Sequence, residues 1–402
     1  MTSRERVEKV LNHEIPDYIP NCWGGCETAG MHVSTYQRLV DLLGLEKRPS
    51  RVDTFMFNAV MDEDVLLKMQ GDMLLLASPI MCARPLRAKE GWNRHRLFGI
   101  DVELSDNYSL ESDDRFTYLL NDGKRAMRSP KGSYYFDFIP DGDLFDDAEV
   151  PDPADYHPSH DFPDEKLRAL ENIARQAYES TDFALCMGET ITDLQLMPGG
   201  MVAWYEAMLT EPEIVDEYLS KNVDAALDQI TLLDQAVGKY CSVLSIAHDL
   251  GDHQNVTMGA SLFRSCYKPH YSRLFHGWHE RTRMKVNLHS CGAISEIIPD
   301  LIECGVDVLN PVQISANDMD VRRLKSLVGN ALVFYGGSLD CIQCPPTVDA
   351  QAVYQKVREN ISVLAEGGNY LFAGVHNTAA DTPREHLEAA LRAYRDVRGM
   401  YR

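Results

Sequence analysis

From residue 166 onward, short uninterrupted apolar runs recur at regular intervals: DFALCMG, CSVLSIAHD, KVNLHSCG, DVLNPVQ, ALVFYGGSLD and YLFAGVHN. Between them lie stretches with apolar positions at helical spacing, near 202–238, 261–283, 293–304, 318–328, 347–366 and 383–397. Runs that are apolar on both faces, each followed by a helix, predict parallel strands buried under a helical layer. Two earlier runs, DTFMFNAV and DMLLLASP, bring the strand count to eight, the number that closes a (β/α)8 TIM-type barrel. An open doubly wound sheet is the competing arrangement. It is disfavoured because neither GxGxxG nor a P-loop follows any of the runs.

The first 84 residues add two amphipathic segments, SRERVEKVLNHE and TYQRLVDLLGLE, both predicted helical. Residues 85 to about 140 differ in kind. Turn signals (NDGK, SPKGS) separate aromatic-rich runs (FTYLL, SYYFDFI), which predicts antiparallel hairpins inserted into the barrel. An acidic, proline-rich stretch follows to residue 165 and reads as a surface loop. The expected organisation is one barrel domain over 1–402, with its hairpin insertion and acidic loop at 85–165 and regular βα repeats over 166–402.

Composition narrows the function. A net charge of −22 argues against nucleic acid and anionic membranes, which need a basic surface. No apolar stretch reaches the roughly 18 residues of a membrane span, and the charged N-terminus carries no signal core, so a cytoplasmic location is expected. Ten scattered cysteines suit reduced, mostly buried thiols.

Barrel chemistry sits where strands end and βα loops begin. Those ends carry Glu189, His248, Asp249, His289, Cys291, Asn310, Gln313, Asp340, His376 and Asn377. In HSCG, His289 and Cys291 are two residues apart, so an extended segment turns both to one side, within reach of one Zn2+. A satisfied histidine beside a buried cysteine is the plainer alternative. A catalytic zinc needs three protein ligands, and the third candidate is His376, or else Cys341 or Cys344 of the lone CxxC. His248, Asp249 and Asp340 are candidates to orient substrate or relay a proton. Glu189, Asn310, Gln313 and Asn377 are candidates to bind it. Trp23 joins them, because the glycines of NCWGGCET suit a loop that approaches a ligand.

Taken together, HDLGDHQ, SLFRSCYKPHYSRLF, HSCGAISEIIPDLIECGVDVLNPVQ, GGSLD and GGNYLFAGVHNTAADTPREHLEAAL resemble the uroporphyrinogen decarboxylase superfamily. The resemblance implies its distorted (β/α)8 barrel and one of two chemistries: metal-free decarboxylation, or methyl transfer to or from a corrinoid protein with zinc. The decarboxylases resemble one another in arginines near the N-terminus; here that stretch is Asn21-Cys22-Trp23-Gly24-Gly25-Cys26. Where they carry an aspartate, this chain has Ala77-Ser78-Pro79. A polycarboxylate would lack charge-assisted partners in so acidic a chain. His289 and Cys291 instead match two zinc ligands of the corrinoid:thiol methyltransferases, and His376 stands where those enzymes have a cysteine. The expected function is therefore methyl transfer between a small methyl ether, methylamine or thiol and a corrinoid protein. The cobamide would ride on a separate partner, since no Asp-x-His-x-x-Gly segment is present. A metal-free decarboxylase is the alternative, and a homodimer is among the expected assemblies.

Overall fold

The computed structural model describes residues 1–77, 86–139, 149–158 and 162–400. Ser78, Pro79, Cys82 and part of the acidic stretch lie outside the described residues. Seven strands form one parallel sheet: β1 (Met73–Ala77), β2 (Ala184–Met187), β3 (Cys241–Ala247), β4 (Lys285–His289), β5 (Val308–Asn310), β6 (Val333–Tyr335) and β7 (Tyr370–Leu371). Each strand pairs with its predecessor in this chain order, as a sheet built from successive right-handed βα units requires.

The eighth side is closed by residues 20–22 rather than by DTFMFNAV. Cys22 N–H donates to Phe372 O at 2.9 Å and Phe372 N–H to Pro20 O at 2.9 Å. On the other flank Asp72 N–H donates to Asn21 O at 2.7 Å, and the Asp72 carboxylate accepts Asn21 N–H at 2.8 Å. DTFMFNAV is a turn because the Asp53 carboxylate gathers the N–H groups of Phe55, Met56 and Asn58 at 3.0, 2.6 and 2.8 Å. A side chain that satisfies three local amides removes them from any ladder.

The predicted helices cover the outside. The longest, Pro212–Val237, buries Leu219, Val223, Ala226, Ile230, Leu233 and Val237 on the face it turns to the barrel and its neighbours. At roughly 1.5–3 kcal/mol for each large side chain buried, such faces supply most of the drive to form the layer. The helix Ser3–Leu11 starts with a capping box between Thr2 and Glu5. Its buried Arg6 pairs with Asp72 at 2.6 Å and Asp17 at 2.7 Å, which fastens the helix to the chain entering β1.

The hairpins form as expected. Trp92–Leu97 pairs antiparallel with Ile100–Ser105, and Tyr108–Ser112, Phe116–Asn121, Lys124–Pro130 and Asp137–Phe138 form a second antiparallel sheet. Their far end reaches back over the barrel: Tyr135 Oη accepts Ala380 N–H at 3.0 Å, in the loop after β7. Among the described residues no helix is long and apolar enough to cross a membrane.

Candidate metal centre at the barrel mouth

Strand alternation fixes what faces the barrel axis. In β4 the inward residues are Asn287 and His289, and the same parity carries Cys291 beyond the strand end. Asn287 Nδ2 donates to Ser245 Oγ of β3 at 3.0 Å, and Ser245 lies 3.7 Å from Cys186 Sγ of β2, a polar layer beneath the mouth. Above it His289 pairs in register with Asn310 of β5.

The His289 ring is held by that neighbour. Its Nδ1 is 3.0 Å from Asn310 Oδ1, which also accepts the Thr28 hydroxyl at 2.5 Å, while Asn310 Nδ2 donates to Tyr335 O at 3.2 Å. An amide oxygen only accepts, so the proton sits on Nδ1 and the lone pair of Nε2 is left pointing at the mouth. Cys291 Sγ lies 3.5 Å from that Nε2. The His376 ring stands edge-on to His289, centroids 5.2 Å apart. One donor atom from each of His289, Cys291 and His376 falls within 4.8 Å of the other two. Zn–N and Zn–S bonds of about 2.0 and 2.3 Å at tetrahedral angles set N···S separations near 3.5 Å, which the His289–Cys291 pair matches, with a His376 nitrogen within 4.8 Å of both.

The surrounding loops hold the arrangement. Cys291 N–H donates to Asp249 Oδ1 at 3.0 Å, and Gly292 N–H to Gln313 Oε1 at 2.8 Å. Gly292 has φ 91°, and a Cβ there would lie 2.3 Å from Gly251 O, so the turn that follows Cys291 accepts no side chain. Asp249 Oδ1 is 3.7 Å from His289 Nε2, and its own N–H donates to Gln195 Oε1 at 3.2 Å.

Burial keeps the three donors uncharged. It lowers His376 to about 3, with His289 as a second cause, and lowers His289 as well. It pushes the Cys291 thiol up to about 12, helped by the Asp249 carboxylate. A bound cation would reverse the thiol's preference, because coordination strips its proton.

Several expected site residues are engaged in packing or in holding other groups. His248 has the wrong parity: inward residues 245, 247 and 249 leave it facing outward, where its Nδ1 meets the Tyr271 hydroxyl at 2.7 Å. Burial among Tyr267 and Tyr271 lowers it to about 4, so it is a neutral packing residue. His248→Phe should cost about 1–2 kcal/mol of stability in chemical denaturation and leave turnover within twofold. Trp23 is 1% exposed, with its indole N–H on Thr378 Oγ1 at 3.2 Å, and lies beneath the mouth in the core. Asn310 is wholly buried and all its polar atoms are engaged, so it orients His289 rather than touching a substrate. Asp340 Oδ1 caps the turn that follows β6 through Ile342 N–H at 2.8 Å and Gln343 N–H at 3.4 Å. Cys341 and Cys344 ride on that turn and, among the described residues, join no group of convergent metal donors. Asn377 Oδ1 accepts Gly30 N–H at 2.8 Å, which ties the loop after β7 to the one after residues 20–22, the first stave of the barrel in chain order.

Two residues at the mouth escape the strand-end reading altogether. Glu27 and Thr28 follow the first stave, and the Glu27 carboxylate accepts the N–H of Glu189. Their signal was present in NCWGGCET, which ends on an acid and a hydroxyl inside a segment otherwise too apolar for solvent.

Residues 166–397 match the uroporphyrinogen decarboxylase (URO-D) family, and the chain belongs to it. In fold it is similar to a methyltransferase from Methanosarcina mazei, with a TM-score of 0.56 and 14% identity over 98% of this chain and 99% of that one. A GH113 β-1,4-mannanase (TM-score 0.35, 12% identity, 59% and 81% covered) is also matched. So is xylanase B from Clostridium stercorarium F9 (0.34, 11%, 60% and 86%). No curated protein matches the chain in sequence.

Proposed function

We propose that this protein is a methyltransferase that moves a methyl group between a small methylated substrate and a corrinoid carried on a partner protein. Zinc would be held by His289 Nε2, Cys291 Sγ and a ring nitrogen of His376. The observation that carries the reading is the convergence of those three donors, with the His289 lone pair already freed by Asn310. Family membership and the fold shared with a methyltransferase support it.

Bound there, zinc supplies Lewis acidity toward an ether oxygen or lowers the pKa of a thiol. The chain's own residues do the positioning. Asn310 fixes the His289 tautomer, Asp249 and Gln313 hold the amides on either side of Cys291, and Asp249 adds negative charge facing the ion. His376 is the weakest-held ligand. Its Nδ1 accepts Asn377 N–H at 2.7 Å, and coordination through either nitrogen gives that bond up. Through Nδ1 the lone pair is taken; through Nε2 the proton must move to Nδ1 and oppose the amide.

Decarboxylation of a polycarboxylate gains no support at this mouth. The side chains that hold the donors are Asp249, Asn310 and Gln313, none of them a cation that could pair with a carboxylate substrate. The deciding experiment is metal analysis of the purified protein together with methyl transfer to chemically reduced cob(I)alamin. About one zinc per chain and transfer that stops on chelation are expected. Activity with no metal, or release of CO2 from a carboxylated substrate, would sink the reading. Asn310→Ala tests the orienting bond separately. Zinc affinity measured against a competing chelator should fall roughly 10–100-fold, as for other lost partners of a ligating histidine.

A further inference from the structure

Three successive amides follow β3, and they do not all point the same way. His248 N–H donates to His289 O at 2.9 Å and Leu250 N–H to Ser290 Oγ at 3.1 Å, so the end of β4 takes up both. The amide between them, that of Asp249, faces the loop after β2 and meets Gln195 Oε1 at 3.2 Å. The segment that supplies Gln195 is fixed along its length. Ile191 and Leu194 are buried in the core. Thr192 N–H donates to Gln229 Oε1 at 2.6 Å, and Gln229 Nε2 donates to the Thr192 hydroxyl at 3.0 Å. Asn222 Nδ2 donates to Asp193 O at 2.7 Å, and the Tyr156 hydroxyl donates to Asn222 Oδ1 at 2.8 Å. The Asp193 carboxylate accepts Gln195 N–H at 2.9 Å. Asn222 and Gln229 are buried residues of the helix Pro212–Val237, where an unmade hydrogen bond costs far more than it does in water. Two side chains of the longest helix therefore hold the loop that presents Gln195.

From Gln195 the contacts reach the metal donors in two steps. Asp249 Oδ1 accepts Cys291 N–H at 3.0 Å and lies 3.7 Å from His289 Nε2. The Asp249 side chain is half-exposed and, among the described residues, pairs with no Lys or Arg, so neither packing nor a cation fixes it. With residues 248 and 250 tied to β4, the peptide of Asp249 can still tilt about those anchors, and Gln195 sets the tilt. We propose that Gln195 is a positioning residue of the metal centre: through the Asp249 amide it seats the carboxylate that holds Cys291. The proposal rests on the reading of His289, Cys291 and His376 as zinc ligands. The bond itself lies at the surface, and without it Asp249 N–H turns to water at little cost to folding. An effect on the metal and an effect on stability are thereby separable.

The test compares Gln195→Met, which keeps the length of the side chain and loses its acceptor, with Gln195→Glu, which keeps an acceptor oxygen. Zinc affinity, read by competition with a chelator, should fall roughly 3–10-fold in Gln195→Met, less than the roughly 10–100-fold expected where a direct partner of a ligating histidine is lost. Gln195→Glu should restore most of it. In the Co(II)-substituted protein the thiolate charge-transfer band should shift in Gln195→Met and return in Gln195→Glu. Denaturation midpoints of the metal-free proteins should agree. In an Asp249→Ala background Gln195→Met should cost no further affinity, because the group it acts through is gone. A third readout needs no metal: hydrogen exchange at the Cys291 amide should speed up in Gln195→Met and not in Gln195→Glu. Parent-like affinity and Co(II) spectrum in Gln195→Met overturn the assignment. So does a loss that Gln195→Glu leaves unrestored, or one that adds in full to that of Asp249→Ala. A parent that binds neither Zn2+ nor Co2+ removes the metal reading alone if exchange is faster only in Gln195→Met, and both readings if exchange is the same in the two variants.

Discussion

Cys291→Ala is expected to strip the protein of zinc and to lower methyl transfer at least 10³-fold while leaving the fold intact. The thiolate is the one anionic ligand in the set, and the remaining pair of neutral imidazoles is a poor zinc site. Folding should survive because Cys291 lies past the end of β4 and is only partly buried, unlike the core cysteines Cys22, Cys186 and Cys241. The three donors also differ in a way that ranks their variants. His289 is pre-oriented by Asn310, whereas His376 must give up its bond from Asn377 N–H to coordinate. His289→Ala should therefore cost more zinc affinity than His376→Ala. Metal content after dialysis and competition with a chromophoric chelator would show the order. Parent-like zinc retention in Cys291→Ala would remove sulfur from the site and with it the proposed centre.

Gly188→Ala is expected to have the second largest effect, although it adds one methyl group and touches no donor. Its Cβ would lie 1.8 Å from Glu27 Oε1 and 2.4 Å from Ala77 O. The carboxylate could swing away, but the backbone oxygen of β1 belongs to the sheet and cannot. Overpacking against a fixed strand costs about 3 kcal/mol, which should appear as a lowered midpoint in thermal or chemical denaturation. Displacing Glu27 also frees the amide of Glu189, so turnover should fall further than the loss of folded protein explains. Parent-like stability would mean that β1 and β2 end further apart than these contacts require.

Repeated apolar runs followed by helical periodicity were enough for the barrel, because burial on both faces leaves a one-dimensional trace in every βα unit. The hairpins at 85–140 were legible for the same kind of reason, through turn residues at fixed spacing. His289 and Cys291 could be paired because two residues of one extended segment share a side whatever the tertiary fold. That is local geometry. The first stave could not be found this way: residues 20–22 form a stave only because Phe372 and Asp72 stand on either side of them. DTFMFNAV looked more strand-like and was taken out of the sheet by a single aspartate.

Strand-end position alone over-collected the site. His248 and Asp249 are adjacent in sequence, yet parity sends the histidine into the helical layer and the aspartate to the mouth. Asn310 reads as a polar strand end and acts from beneath, as the acceptor that turns His289. The class of fold and the pairing of His289 with Cys291 can be read from residue order alone, since both depend on periodicities of 3.6 and 2 residues that need no partner. The rest exists only in the folded chain: His376 arrives from another stave of the cylinder, Asn310 sets the histidine tautomer, and Glu27 holds the amide of Glu189. Each of these depends on residues tens to hundreds of positions apart meeting in space, and no spacing along a chain records such a distance.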